Sequence, residues 1–233
     1  MGFSTGALAY ADFQRGLAMT RTAGCAAVEL SALRQPELFP LLESLNSLDL
    51  TGFEYVSIHA PSQFEPAWEE MVWDRLREES WRSWPIVVHP DALFDFSRWR
   101  ELGHLLCVEN MDKRKPIGRT AKELGLIFKQ LPEASLCFDI GHARQCDPTM
   151  TEAYLILREF GSKLRQVHVS EVNTRSKHDP LSYASILAYQ EVAHLIPAHV
   201  PLILETPVAE DQMESEIAKV REALPLNRQT MVA

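Results

Sequence analysis

The sequence predicts a single α/β domain over residues 1–233, folded as a (β/α)8 TIM barrel. Eight short apolar runs recur along the whole chain, and helix-like segments separate most of them. This alternation is typical of βαβ units and a parallel sheet, and a mean spacing of about 29 residues per unit fits a compact barrel. An open, doubly wound sheet is the alternative, but no run opens into the G-x-G-x-x-G motif that would favour it.

The eight runs predict the barrel strands. Each is rich in aliphatic or β-branched residues and ends in polar or turn residues, as buried strands do. In the sixth run, Leu136, Phe138 and Ile140 alternate with their neighbours, which indicates a strand that reaches Ile140. In chain order the runs cover residues 2–8, 25–30, 54–61, 85–91, 104–111, 136–143, 163–172 and 201–207.

Amphipathic segments between the runs predict the helices. The segment 149–161 ends at Gly161, and glycine is favoured where helices stop. The stretch between the fourth and fifth runs is short for a helix. Predicted helices cover residues 65–83, 119–131, 149–161, 183–195 and 210–224.

Composition argues against several classes of function. The net charge of −9 at pH 7 disfavours a nucleic-acid partner. No run approaches the roughly 18 apolar residues of a membrane span, and the first residues lack the basic and apolar regions of a signal peptide. The four cysteines form no C-x-x-C pair, so we expect reduced thiols and a cytoplasmic location.

Side chains that can bind metals end six consecutive runs. The chemistry of a TIM barrel lies at the C-terminal ends of its strands, so these side chains are expected to converge. One such residue is more often structural, but six in succession favour a site for Mn, Zn, Mg, Co or Fe. A facing cation would also explain Asp139, a carboxylate inside an apolar run. The candidates are His59, His89, Glu109, Asp139, His142, His168 and Glu205, with His178 in the loop after the seventh run.

The segments that carry these residues resemble one superfamily over essentially the whole chain. They read SIHAPS, VVHPD, CVENM, CFDIGHA, VHVSE, KHDPL and LILETP. Together they are similar to the xylose isomerase-like TIM barrels. That superfamily contains sugar and sugar phosphate isomerases and epimerases, and also endonuclease IV-type nucleases. The resemblance implies the fold more strongly than the reaction, because one scaffold supports both chemistries.

The epimerase branch implies one divalent metal and a proton-transfer mechanism. Its ligand positions match Glu109, Asp139, His168 and Glu205. The two glutamates would act as the acid/base pair, and would transfer a proton through a metal-bound enediolate. A metal-dependent isomerase or epimerase of a sugar, sugar phosphate or sugar acid is therefore the leading hypothesis.

The nuclease branch implies a phosphoester hydrolase with two or three metals. Its further ligands match His59, His89, His142 and His178, but Ser176 replaces an expected aspartate, for which Asp179 is an alternative donor. Two features weigh against this hypothesis: the chain is short, and Ser62 stands where an aromatic residue is expected. A metal-stabilised binding protein without catalysis ranks last, because both glutamates are present.

Basic residues crowd three loops expected at the mouth, although the chain is acidic. A solvated charge run explains the segment 113–115 alone, but basic residues on neighbouring loops favour an anionic small molecule bound through its phosphate or carboxylate. The predicted substrate-binding residues are Asn110, Lys113, Arg114, Arg144 and Arg175.

Four tryptophans lie in the third βα segment. Trp68 shares a predicted helical face with Val72 and Leu76, which indicates core packing. For Trp73 and Trp81, core packing or simple exposure is favoured, and a homodimer contact or a lid over the site is the alternative.

Overall fold

The computed structural model describes residues 1–225, and in it eight parallel strands close into a barrel. Each strand pairs with its neighbours in sequence, and the eighth pairs with the first. The predicted TIM barrel is confirmed; residues 226–233 of the predicted domain lie outside the described part. The strands are β1 Gly2–Ser4, β2 Ala27–Ser31, β3 Tyr55–His59, β4 Ile86–Val88, β5 Leu106–Glu109, β6 Ser135–Asp139, β7 Leu164–Val169 and β8 Leu202–Leu204.

Helices form the outer layer of the barrel. Every predicted helix is present, and the short β4–β5 connection contains a single α-helical turn flanked by 3₁₀ turns. The helices are α1 Thr5–Ala9, α2 Phe13–Thr22, α3 Gln35–Ser44, α4 Glu69–Glu78, α5 Phe96–Trp99, α6 Ala121–Gln130, α7 Ile140–Cys146, α8 Thr151–Phe160, α9 Tyr183–Ala193 and α10 Met213–Ala223.

The sixth strand ends earlier than predicted. Helix α7 begins at Ile140, because the Oδ1 atom of Asp139 accepts the backbone N–H of His142 at 2.6 Å and caps the helix. Gly141 permits close packing here, since a Cβ atom at this position would lie 2.6 Å from the carbonyl oxygen of Ser170. Both Asp139 and His142 are thereby fixed at the mouth of the barrel.

The seventh run is divided into two elements. Strand β7 ends at Val169, and Glu171–Val172 then pairs antiparallel with His178–Asp179. Ser176 lies in the turn of this hairpin with a φ angle of 52°. The hairpin places His178 beside the barrel axis at the same end as the strand termini.

The interior of the barrel is polar, whereas the layer between strands and helices is apolar. Val28, Leu30 and Ile58 belong to the main hydrophobic core. Across the interior, Glu29 of β2 contacts Gln166 and His168 of β7, and all three side chains are fully buried.

The tryptophan predictions have mixed outcomes. Trp73 is buried in the core, as favoured. The core position predicted for Trp68 is wrong: its side chain is 39% exposed, because α4 begins only at Glu69. Trp81 is 69% exposed, with the guanidinium of Arg82 over its ring. The four cysteines are free thiols, and among residues 1–225 no helix has the length and apolar content to cross a bilayer.

Candidate metal centre

The eight predicted metal ligands converge on one end of the barrel. Each lies at the end of a strand, in the residue that follows it, in the first turn of α7 or in the hairpin. Six are linked to Glu109, directly or through one intermediate, by contacts no longer than 3.5 Å. They are His59, His89, Asp139, His142, His168 and Glu205.

Four of these side chains form a central quartet: Glu109, Asp139, His168 and Glu205. One ligand atom from each lies within 4.8 Å of the others. The Nδ1 atom of His168 is 3.5 Å from Oε1 of Glu109 and 3.4 Å from Oε2 of Glu205. Ligand atoms about 2.1 Å from a tetrahedral ion are separated by about 3.4 Å, so these distances fit a first coordination shell.

Two atoms of the quartet are buried without any hydrogen-bond partner. They are Nδ1 of His168 and Oδ2 of Asp139. An unsatisfied buried polar atom costs about 1–3 kcal/mol, and such atoms are rare in native proteins. A divalent cation bound by the quartet would satisfy both, and the mixed nitrogen and oxygen donors suit Zn, Mn, Fe or Co, with Mg favouring the oxygens.

A second group of possible ligands shares Glu109 with the quartet. The Oε2 atom of Glu109 is 3.1 Å from Nε2 of His59 and 3.2 Å from Nε2 of His89. Its other oxygen, Oε1, faces His168 and the Nδ1 atom of His142. Glu109 therefore directs one oxygen at each group, which is the geometry of a bridging carboxylate.

The two remaining histidines line the cavity above the cluster. His142 Nδ1 is 3.0 Å from the carbonyl oxygen of Asn110, and His178 Nδ1 is 2.7 Å from Oγ of Ser170. Among residues 1–225, neither histidine belongs to a cluster of three or more ligand atoms. Ser176 is hydrogen-bonded to Gln145, Asp179 accepts a bond from Asn173, and no group of three or more possible ligands among residues 1–225 includes Asp179.

The charges of the cluster compensate one another. Burial alone would lower the pKa values of His59 and His142, but neighbouring carboxylates raise them to about 9 and about 10. Burial favours the neutral form of Glu109, yet the surrounding imidazoles hold its pKa well below its usual range. Burial and the charge of Glu109 raise the pKa of Asp139 to about 6. Protons on these side chains thus balance the carboxylate charges where a divalent cation can bind, and metal binding must displace them.

A cavity of about 470 Å³ opens above the cluster. This volume lies within the range of about 300–1,000 Å³ that is typical of small-molecule sites. Its floor includes His59, His89, Glu109 and Glu205. Its wall combines apolar and aromatic groups with three cations: Ala7, Tyr10, Leu33, Pro207, Arg114, Lys115 and Lys177.

Of the predicted substrate-binding residues, Arg114 lies in the cavity wall and the other four do not. The side chain of Asn110 is buried, and both ends of its amide bond the backbone of Asp139 at 2.8 Å. Arg144 pairs with Glu171 at 3.3 Å, while Lys113 and Arg175 point into solvent outside the cavity. Loop position in sequence did not reveal which basic residues turn inward.

Sequence reasoning missed three residues of the site. Glu29 was detectable, because it interrupts the apolar run CAAVEL. Asp112 lines the cavity and pairs with Arg114 at 3.1 Å; burial opposes its ionisation, but the bonds from Arg114 lower its pKa to about 2. Lys177 belonged to the basic loop after the seventh run, but nothing in the sequence distinguished it from Arg175.

No protein-family model and no curated protein matches the sequence. Solved structures do share its fold. Endonuclease IV from Thermus thermophilus gives a TM-score of 0.61 at 18% identity, over 97% of this chain and 99% of that chain. An L-ribulose 3-epimerase gives 0.56 at 14% identity, over 96% and 91%. A xylose isomerase-like TIM barrel protein from Mycobacterium smegmatis, in complex with magnesium, gives 0.56 at 15% identity, over 92% and 90%.

These likenesses confirm the TIM barrel fold that the sequence predicted. The structural neighbours include an epimerase and an endonuclease, so the fold leaves the reaction open. They also correct one argument from sequence. Because the alignment with endonuclease IV covers nearly all of both chains, chain length does not separate the two chemistries.

Proposed function

We propose that the protein is a divalent-metal-dependent isomerase or epimerase of a small sugar, sugar phosphate or sugar acid. One observation carries this proposal. Glu109 and Glu205 lie 3.5 and 3.4 Å from Nδ1 of His168, and both carboxylates line the floor of a cavity of small-molecule size. Two carboxylates that face one bound carbon skeleton suit proton transfer next to a carbonyl.

The quartet of Glu109, Asp139, His168 and Glu205 would hold the metal. Two of its atoms have no other partner, and its spacing fits a coordination shell. A divalent ion bound there would polarise the substrate carbonyl and stabilise the negative charge that develops on its oxygen.

The glutamates would move the proton. Burial opposes the ionisation of Glu109 and Glu205, but nearby imidazoles hold both pKa values below their usual range, so both are ionised at neutral pH. In this form either carboxylate accepts a proton from the carbon next to the carbonyl. The same carboxyl returns the proton to the neighbouring carbon in an isomerisation. In an epimerisation the first glutamate keeps the proton that it has removed, and the other glutamate, protonated from water before the reaction, delivers its proton to the same carbon from the opposite face.

The cavity wall favours an anionic substrate. Arg114 and Lys115 are paired with Asp112 and Asp91, whereas Lys177 makes no ion pair within residues 1–225. Lys177 is therefore the cation that is available to a phosphate or carboxylate of the substrate.

Solvent exchange at carbon tests the reaction directly. Metal-loaded protein is incubated in D₂O with a panel of ketopentoses, ketohexoses, their phosphates and the corresponding acids. NMR then follows the loss of the C–H signal next to the carbonyl and the appearance of a second sugar. We expect exchange with one class of substrate, and its loss in Glu109→Gln and Glu205→Gln.

Glu171→Gln is the matched control for these variants. Glu171 lies in the hairpin beside the site, where it bonds Arg144 and Ser182 outside the cavity wall. Its substitution should leave exchange intact. Exchange that persists in Glu205→Gln, or that needs no metal, contradicts the proposed mechanism.

A two-metal phosphoester hydrolase is the second candidate, and the bridging geometry of Glu109 favours it. His59 and His89 contact one oxygen of Glu109 while the quartet uses the other. Two metals across such a carboxylate suit attack of water on phosphorus. Two bound equivalents with hydrolysis of nitrophenyl phosphate esters would favour this candidate, and one equivalent with carbon exchange would favour the isomerase.

A further inference from the structure

We propose that Glu29 is a positioning residue that sets the tautomer and orientation of His168, so that Nδ1 of the ring faces the metal centre. This inference rests on the metal site of the proposed function. Glu29 lies in the middle of β2, on the opposite side of the barrel interior from β7, and is fully buried. It is absent from the cavity wall, so it acts through His168 rather than on a substrate.

Three donors surround one oxygen of Glu29. Oε2 is 2.9 Å from Nε2 of His168, 2.7 Å from Nε2 of Gln166 and 3.2 Å from Oγ of Ser57. A carboxylate oxygen has no hydrogen to donate, so the hydrogen of the His168 bond belongs to Nε2. The opposite ring nitrogen, Nδ1, would then offer its lone pair to a metal held with Glu109 and Glu205.

The amide of Gln166 is oriented by a further bond. Oη of Tyr55 donates to Oε1 of Gln166 at 2.6 Å, which turns the Gln166 NH₂ group toward Glu29. Gln166 Nε2 is also 2.8 Å from Nε2 of His168. If Gln166 donated a hydrogen bond in that contact, Nε2 of His168 would be the acceptor and the ring hydrogen would lie on Nδ1. The carboxylate of Glu29 excludes this second tautomer, because the lone pair of an unprotonated Nε2 would repel a carboxylate oxygen 2.9 Å away.

This chain of bonds is a carboxylate–histidine arrangement behind a metal ligand. Such partners fix the ring of the ligand and raise its basicity, and their removal typically costs about 10- to 100-fold in metal affinity. We expect that loss in Glu29→Leu. Glu29→Gln keeps a carbonyl oxygen as acceptor, so it should recover part of the affinity.

Metal affinity is measured by competition with a chromophoric chelator, using Zn²⁺ or Co²⁺ as the probe, for the full chain and each variant. Thr20→Val is the control, since it removes a buried side-chain hydrogen bond, from Oγ1 of Thr20 to the carbonyl oxygen of Gly16, outside this network. Its affinity should equal that of the original protein. Thermal unfolding in chelator checks that each variant is folded before metal is added, and Glu29→Gln serves if Glu29→Leu does not fold.

NMR of the ¹⁵N-labelled, Zn²⁺-loaded protein gives a readout that does not depend on activity. We expect the His168 ring to carry its hydrogen on Nε2, and the Nδ1 signal to shift on metal binding. A hydrogen on Nδ1 with metal on Nε2 would overturn the inference, and would make Glu29 a direct ligand in the group formed by Glu29, His59, His168 and Glu205.

The outcomes separate this inference from the proposed function. If the original protein binds metal and Glu29→Leu binds it equally well, Glu29 has no positioning role, while the proposed function stands. If the original protein binds no divalent metal, both are overturned.

Discussion

Replacing Asp139 with asparagine should stabilise the protein without metal, and the presence of metal should remove most of this advantage. Asp139 is fully buried; its Oδ1 atom caps α7 and its Oδ2 atom has no partner. Asparagine has the same shape, and its amide oxygen can still accept the N–H of His142. At the Oδ2 position, however, an NH₂ donor would replace a metal ligand.

The magnitude without metal follows from the pKa of Asp139. Burial and the charge of Glu109 raise this pKa from 3.8 to about 6. Each pKa unit corresponds to about 1.4 kcal/mol, so the ionised carboxylate costs the folded state up to about 3 kcal/mol. The pKa is higher in the folded protein, so the cost is absent below about pH 4, grows as the pH rises, and is complete above about pH 6.

Asp139→Asn should therefore unfold at a higher temperature than the original protein in chelator at pH 7.5. About 3 kcal/mol corresponds to a rise of roughly 6–12 °C for a domain of this size, and the difference should vanish near pH 4. Metal at about 100 times its Kd stabilises a binding protein by about 2.7 kcal/mol. That gain should appear in the original protein and not in the variant.

Scanning calorimetry at pH 4 and pH 7.5, with chelator or with Mn²⁺, measures all of these differences. Asp147→Asn is the matched control. Asp147 follows α7 and accepts bonds from Thr149 and Glu152 at the surface. Its loss should lower stability slightly and leave the metal response unchanged. Equal metal stabilisation of Asp139→Asn and the original protein would refute a ligand role for Asp139.

Three further predictions concern protons, substrate and scaffold. The pKa of His59, raised to about 9, keeps its imidazole charged at pH 7.5. Metal binding at His59 should therefore release a proton, and the apparent metal affinity should rise with pH up to about pH 9. Calorimetry in buffers of different ionisation enthalpy measures the proton release. Lys177→Ala should raise KM for an anionic substrate about five-fold, which corresponds to the loss of a contact of about 1 kcal/mol. Arg175→Ala should leave KM unchanged. If the two variants have equal KM values, Lys177 does not contact the anion. The carboxylate of Glu69 accepts hydrogen bonds from two backbone N–H groups and from the indole N–H of Trp99. Glu69→Leu should therefore lower the unfolding free energy by at least about 3 kcal/mol in a urea titration, without changing the amount of bound metal. An unchanged urea midpoint refutes this structural role of Glu69.

The sequence predicted the fold and the convergence of the candidate ligands because both follow from local pattern. Apolar runs separated by amphipathic segments define β/α units, and residues at strand ends of such a barrel share one mouth. Side-chain direction beyond the strand ends was not predictable in this way. Asn110 follows Glu109 directly, yet its amide spans to the backbone of Asp139 instead of facing the cavity. That contact joins residues far apart in sequence, and no periodicity encodes it.

The residues around Ser176 differ from the ligand pattern of the nuclease branch. Arg114 bonds Asp112 and donates to the carbonyl oxygen of Ser176, so a guanidinium holds the hairpin turn where the nuclease pattern has an aspartate. A fixed positive charge there opposes a further divalent cation. His142 and His178 are left facing the cavity without a third carboxylate in their group, and hydrogen bonding to substrate hydroxyls is the role their geometry permits. On the proposed function, the serine in place of a carboxylate leaves these two histidines available to bind hydroxyl groups of the substrate.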